Sequence, residues 1–350
     1  MSFLAISRYI CSVIHDYTQS LMAWYSDHGR DLPWRGTCDA YAIWLSEIIL
    51  QQTRIQQGEA YWHRFMERFP TVELLAAASE DEVLRLWQGL GYYSRARNLH
   101  AAAKQIVTAG AFPQTLEGIH ALKGVGDYTA AAIGSFAFGL DAAAVDGNVY
   151  RVLARHFGID TPINTTEGKR EFHALATALL PHGQAGTFNQ AMMDFGAMQC
   201  TPQSPACLTC PVAETCVALR TGRVDVLPVK LRKTKVQERR LAYIYIRCKD
   251  ETAIRRRPAG DIWQGLWEPV DMEDVRCKME EGRCKMDRAV LLAKDMKHVL
   301  THRILYADFY FMEVIEKPSL PEGYIWVKEE ELDDYAKPRL IEKLLEKLFK

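Results

Sequence analysis

The stretch Cys200-TPQSPA-Cys207-LT-Cys210-PVAET-Cys216 sets four cysteines at a C-x6-C-x2-C-x5-C spacing within seventeen residues. The short x2 step puts two sulfurs on one turn and the longer loops bring the others round, so four soft thiolates can close on one metal centre. A structural zinc knuckle is the plain alternative. Zinc ribbons usually draw on two C-x2-C pairs far apart in sequence, whereas this segment has one tight pair and unequal outer spacers, which favours an iron-sulfur cluster. With either metal the loop is first an element of the fold, and a redox role has to be argued separately.

Working outward, 350 residues with 48% apolar composition predict two or three globular domains. No run of about eighteen apolar residues occurs, and the opening segment is interrupted by Arg8, His15 and Asp16, so neither a signal peptide nor a membrane span is expected. The nine cysteines lack small-domain disulfide spacing, which fits a reducing compartment, with Cys11, Cys38, Cys248, Cys277 and Cys284 left as thiols. Net charge is formally −1; residues 1–240 carry 23 basic and 22 acidic side chains, and residues 241–350 carry 20 and 22. No global basic field announces a nucleic-acid partner, so any DNA contact must come from local features.

From about Tyr17 to Phe195 apolar residues recur at helical spacing, as in Ala42-Ile43, Leu45 and Ile48-Ile49, with Gly or Pro every 10 to 20 residues. The expected architecture is an all-α domain over 1–222, an exposed basic linker over 223–240 with Pro228, Lys230, Arg232, Lys233, Lys235, Arg239 and Arg240, and an α+β domain over 241–350. Its strands are expected in LAYIYIRC, ILYADFYFMEVI and GYIWVKEEEL, and its terminal helix in IEKLLEKLF. The repeated RCKM at 276–279 and 283–286 reads as a half-buried helical stripe holding Cys277 and Cys284.

The segment His120-ALKGVGDYTAAAI-Gly134 reads as helix, Gly-Val-Gly turn and helix, a helix-hairpin-helix over 119–138. Gly124 and Gly126 permit a tight turn whose amides, with that of Val125, can hold a phosphate at a helix N-terminus without a charged side chain. Such turns also join helices that bind nothing. Placed about 75 residues before four clustered cysteines, the motif carries more weight.

These residues, together with LPWR at 32–35, WLSEIILQQT at 44–53, GLGYYSRARNL at 89–99, VDGNV at 145–149 and NQAMMD at 189–194, resemble the helix-hairpin-helix superfamily of base-excision DNA glycosylases, and within it the adenine DNA glycosylase (MutY) family. The resemblance implies a [4Fe-4S] cluster on Cys200, Cys207, Cys210 and Cys216, and a Nudix-like tail domain. It implies that Glu47, on its own merits an ordinary helix glutamate with apolar neighbours, is a general acid with a raised pKa. It implies that Asp146, on its own an N-cap, stabilises the oxocarbenium-like sugar, with Tyr128 supporting the pocket where the endonuclease III branch carries a Schiff-base lysine.

By the same resemblance Arg30, Leu32, Trp34, Arg35 and Asp194 form the pocket for a flipped adenine, with the polar groups reading the purine edge. Gln52, Thr53 and Tyr92 enter the duplex near the opposing lesion, Gly124, Val125 and Gly126 bind phosphate, and Thr301 and His302 read 8-oxoguanine. Leu300 stands where the family has a phenylalanine, Lys123 where it has a proline, and the cluster loop lacks the usual basic residues; the tail has no pyrophosphatase box. The implied protein is a monofunctional, monomeric adenine glycosylase of the bacterial cytoplasm, acting on double-stranded DNA with adenine opposite 8-oxoguanine or guanine. The rival readings are a glycosylase of other mismatch specificity and a non-catalytic iron-sulfur DNA sensor, which would need neither Glu47 nor Asp146.

Overall fold

The computed structural model describes residues 3–231, 236–274 and 289–349, with side chains from residue 15 onward. The RCKM stripe with Cys277 and Cys284 lies outside them, as do Arg232, Lys233 and Lys235 of the basic stretch. In chain order the helices are α1 (Phe3–His28), α2 (Ala40–Ile49), α3 (Ile55–Arg68), α4 (Val72–Ala77), α5 (Glu80–Trp87), α6 (Ser94–Ala109), α7 (Leu116–His120), α8 (Asp127–Phe138), α9 (Gly147–Phe157), α10 (Thr166–Leu179), α11 (Ala185–Asp194), α12 (Val217–Arg220) and α13 (Arg339–Leu348). None of the described helices is long and apolar enough to cross a membrane. The chain divides into two compact units, residues 1–76 with 101–232, and residues 77–100 with 233–350.

The first unit is helical. Its helices start and stop where local chemistry directs: Asp39 accepts the Tyr41 amide to open α2, Asp146 accepts those of Asn148 and Val149 to open α9, and Gly139 and Gly158 close α8 and α9 in the left-handed conformation. Gly158 is fixed twice over. Its φ is +70° and an added Cβ would lie 2.5 Å from Val217 Cγ1, so α12 docks there only against a glycine. Tyr17, Leu21 and Trp24 of α1 pack with Val149, Val152 and Leu153 of α9, Phe172 of α10, and Phe188 and Met192 of α11 as one core.

The second unit holds a six-stranded mixed sheet: β1 (Gln237–Cys248), β2 (Glu251–Arg256), β3 (Trp267–Asp271), β4 (Val290–Val299), β5 (Arg303–Val314) and β6 (Tyr324–Lys328), in the order β4-β5-β1-β3-β2-β6. β1 and β5 run parallel in register from Gln237 with Arg303 to Cys248 with Val314; the other pairs are antiparallel. Residues 237–240 are therefore strand and not linker, because four ladder pairs against Arg303–Tyr306 extend β1 before its apolar run begins. Both faces of the LAYIYIRC strand are covered. Leu241 and Tyr243 pack with Phe309 and with Leu340, Ile341 and Leu344 of α13, while Ile244 and Ile246 pack with Val270 and Met312 on the opposite side. A strand in the middle of a sheet buries both sets of side chains.

Residues 77–100 belong to this unit. Gln88 Oε1 accepts the Lys337 amide at 3.2 Å, and the Tyr92 hydroxyl is hydrogen-bonded to that of Thr301. In Gly265-Leu266-Trp267-Glu268, Leu266 and Glu268 are buried, and the Glu268 carboxylate binds the guanidinium groups of Arg255 and Arg257.

Candidate functional site

A cavity of about 350 Å³ opens in the first unit, within the range of about 300–1,000 Å³ usual for small-molecule sites. Arg30, Leu32, Trp34 and Arg35 from the loop after α1, Glu47 from α2, Gln52 and Thr53 after it, Tyr128 from α8 and Asp146 before α9 all line it. These residues are widely spaced in sequence and converge because α2 and α8 pack together and the Asp146 cap opens α9 against the same space.

Glu47 is 8% exposed on a helix whose buried neighbours include Trp44, Leu45, Ile48 and Ile49. Its Oε2 accepts the Tyr128 hydroxyl at 2.8 Å. Burial raises its pKa from 4.5 to about 7; the Tyr128 hydrogen bond and the charge of Arg35 pull the other way, and the charge of Asp146 adds to the rise. The same carboxyl makes stability depend on pH. A raised folded-state pKa costs nothing below the unfolded value near 4.5, and the penalty grows from there up to about 7, above which it stays constant. We therefore expect Glu47→Gln, which still accepts from Tyr128, to be more stable than wild type at pH 8 by about 3 kcal/mol, the gap closing toward pH 4.5. Denaturant melts of both proteins at the two pH values measure it, and a gap that does not shrink on acidification would contradict the burial argument.

Asp146 Oδ1 accepts the amides of Asn148 and Val149 at 2.8 Å each, and Oδ2 accepts Asn148 Nδ2 at 2.8 Å. Burial raises its pKa, and these donors with the charge of Arg151 oppose the rise. Asn148 Oδ1 in turn accepts from Arg151 Nη2 at 2.9 Å, and Arg151 Nε donates to the Cys200 carbonyl at 2.8 Å. A line of hydrogen bonds thus runs from Asp146 to the cysteine loop.

Asp194 lies against the pocket's arginines and is not among the residues lining the cavity. It is fully buried and its carboxylate is consumed by two arginines: Arg30 donates from N and Nε at 2.9 Å, and Arg35 from Nη1 at 2.7 Å and Nη2 at 2.8 Å. No acceptor is left for a purine edge, and Asp194 is absent from the cavity lining. Burial alone would raise its pKa, but the hydrogen bonds from Arg35 and Arg30 hold it below the ordinary value. Asp194 therefore positions the two arginines. Asp194→Asn should destabilise the first unit by about 3 kcal/mol, since removing one charge of a buried set leaves the others without compensation; chemical denaturation monitored on that unit checks it, and a loss below about 1 kcal/mol would show that solvent supports the arginines alone.

Gln52 has φ +60° in the first unit and Tyr92 φ +46° in the second. Non-glycine residues rarely adopt this conformation, and those that do concentrate at functional sites. Gly124 supplies the left-handed turn of the hairpin at φ +80°, Val125 is buried, and Gly126 precedes α8, whose first residue, Asp127, is exposed. Thr301 and His302 are exposed in the turn joining β4 to β5, whereas Leu300 packs against the core of Leu241 and Phe309. Asn148, Gln190 and Met193 also line the cavity. Each lies inside a quoted motif, VDGNV or NQAMMD, but nothing local marks it as facing a pocket.

Cys200, Cys207, Cys210 and Cys216 line one small cavity with Arg155 and His156. Cys200 ends the π-helical turn after α11, Cys207 opens a 3-10 turn whose carbonyl receives the Cys210 amide, and Cys216 caps α12. Among the described residues no group of three or more His, Cys, Asp or Glu is set to hold a metal ion; the four thiols line a small cavity. The donor set suits a thiolate-bound cluster on charge as well. Arg155 is 3% exposed, and its described hydrogen bonds go to three carbonyls, of Leu227, Thr201 and Pro202, and to Cys200 Sγ at 3.4 Å. A buried guanidinium needs a counter-charge, which thiolates bound to a metal cluster would supply.

Residues 45–177 match the model of the HhH-GPD superfamily of base excision DNA repair proteins, and residues 242–347 that of the NUDIX domain. The chain is 44% identical over 57% of its length to the human adenine DNA glycosylase, covering 38% of that protein. It spans less than half the length of the mammalian relatives it matches. With the adenine DNA glycosylase of Buchnera aphidicola subsp. Baizongia pistaciae it shares 31% identity over 87% of its own length and 88% of the relative's. Among solved structures, a thermostable thymine-DNA glycosylase superposes with a TM-score of 0.56 at 30% identity, covering 59% of this chain and 97% of that one. With a helical unit and a sheet unit that carry both domain types in this order, and a relative matched along nearly its whole length, the chain belongs to the adenine DNA glycosylase family.

Proposed function

We propose that the protein is a monofunctional adenine DNA glycosylase that removes adenine opposite 8-oxoguanine or guanine from double-stranded DNA. The observation that carries this reading is the buried Glu47 carboxyl, raised to about 7 and hydrogen-bonded to Tyr128, in one cavity with Asp146. An adenine turned out of the helix enters between Leu32 and Trp34, with the Arg30 and Arg35 guanidinium groups held rigid by Asp194. Glu47 gives its proton to the purine ring, the bond from the sugar C1′ to the base breaks, and its electron pair leaves with the adenine. Asp146, whose three hydrogen bonds favour its ionised form against the effect of burial, stabilises the positive charge left on the sugar until water adds to C1′ and its proton passes to the Glu47 carboxylate. Tyr128 cannot form a Schiff base, so the strand stays uncut.

Gly124, Val125 and Gly126 hold a backbone phosphate through their amides, and Gln52, Thr53 and Tyr92 enter the duplex at the opposing base. Thr301 and His302 of the Nudix-like domain (241–350) read the lesion; the Tyr92 to Thr301 hydrogen bond supports a shared task for those two residues. The four cysteines hold a [4Fe-4S] cluster that clamps the loop 200–216, on which Arg151 rests. The protein works as a cytoplasmic monomer.

The test is to incubate the protein with duplexes holding adenine opposite 8-oxoguanine, adenine opposite guanine and thymine opposite guanine, and to resolve the strands with and without alkali. Adenine-specific, alkali-dependent cleavage that favours the 8-oxoguanine duplex is expected. Preferential thymine loss, or strand cutting before alkali, would overturn the proposal.

A further inference from the structure

His156 is a buried polar residue with no assigned task. It sits on α9 beside Arg155, is 4% exposed, and its ring lies 4.3 Å from that of Tyr17 and 4.8 Å from that of Phe157. These ring contacts, tilted at 44° and 74°, pack the imidazole among aromatic side chains. Nδ1 is buried and has no hydrogen-bond partner among the described residues. The residue lines the cavity that the four cysteines surround. An imidazole carries an N–H on at least one of its ring nitrogens. Leaving a buried donor unmade is costly, so a ring placed in this way calls for an acceptor in the cavity.

We propose that His156 donates its Nδ1–H to a sulfur of the iron-sulfur group held by Cys200, Cys207, Cys210 and Cys216, and thereby raises that group's reduction potential; this rests on the reading of the four cysteines as an iron-sulfur site. Arg155 Nη1 already lies 3.4 Å from Cys200 Sγ, so the imidazole is a second donor to the same sulfur shell. An N–H directed at sulfur stabilises the more negative, reduced state, which is why hydrogen bonds to the sulfurs help to set the potentials of such clusters. His156 is a positioning and tuning residue here and takes no part in base excision.

Iron and sulfide analysis of the purified full chain comes first, since protein that binds neither would overturn the iron-sulfur reading and this inference with it. On iron-loaded protein labelled with 15N-histidine and poised in an odd-electron state of the cluster, pulsed electron paramagnetic resonance should show a histidine nitrogen coupling. That coupling should vanish in His156→Phe, which keeps an aromatic ring against Tyr17. The midpoint potential should fall in His156→Phe and recover toward the wild-type value in His156→Gln, which restores an N–H. If either substituted protein fails to fold, the coupling in wild type alone decides. Full iron content with no histidine coupling, or with an unchanged potential in His156→Phe, would overturn the inference while leaving the iron-sulfur site intact.

Discussion

Glu47→Gln should lower the single-turnover rate of adenine excision by about 10²–10⁴-fold, the span that a positioned general acid contributes, with little change in affinity for the lesion duplex. Glutamine fills the same space among Trp44, Leu45, Ile48 and Ile49 and still accepts the Tyr128 hydroxyl, so the pocket keeps its shape. It loses only the transferable proton. Adenine expelled without that proton leaves as an anion, and Glu47 is a lining carboxyl whose pKa burial raises to about 7. Affinity stays because phosphate contacts fix the protein on the duplex, and Glu47 makes none of them. Binding by gel shift and excision by quenched flow, on the same preparations, separate the two quantities. A variant that excises at more than a tenth of the wild-type rate would remove Glu47 from the role of acid.

Asp146→Asn should cost about 10²–10³-fold in the same assay, the usual penalty for removing one preorganised electrostatic stabiliser. Asparagine is as good an N-cap as aspartate, so α9 should open as before and melting should change little. The charge is what disappears. The Asp146 carboxylate uses Oδ1 for the cap and Oδ2 for the Asn148 side chain, and the line through Asn148 and Arg151 to the Cys200 carbonyl fixes its orientation. Loss of rate with an unchanged melting curve would mark an electrostatic role, whereas equal losses of both would reduce Asp146 to its cap.

Much of this site is legible in the sequence because its signals are local. Four cysteines in seventeen residues announce a metal site within one short window, whereas Glu47 and the Gly-Val-Gly turn gain their chemistry only through the family motifs around them. Asp146 caps α9 and also lines the cavity, so the cap that the sequence shows does not exclude a place at the site. What escapes the sequence is non-local. The pairing of Asp194 with Arg30 and Arg35 joins residues 164 and 159 positions apart, and polarity alone does not distinguish a carboxylate that reads a ligand from one that holds arginines. The early start of β1 at Gln237 depends on a partner strand that begins at Arg303. That residues 77–100 join the sheet unit cannot be foreseen from their helical periodicity, which reports a buried face but not the domain that buries it. His156 reads as an ordinary residue of an amphipathic helix until its unpartnered nitrogen is placed beside the cysteines.

The most direct measurement is the pH dependence of single-turnover adenine excision between pH 5 and 9, in wild type and in Tyr128→Phe. With Glu47 holding the proton, the wild-type rate should fall as pH passes about 7. The Tyr128 hydroxyl stabilises the ionised carboxylate, so its removal should move that falling limb to higher pH. A wild-type rate that stays flat to pH 9, or a falling limb that Tyr128→Phe moves to lower pH, would contradict the assignment of Glu47 as the acid.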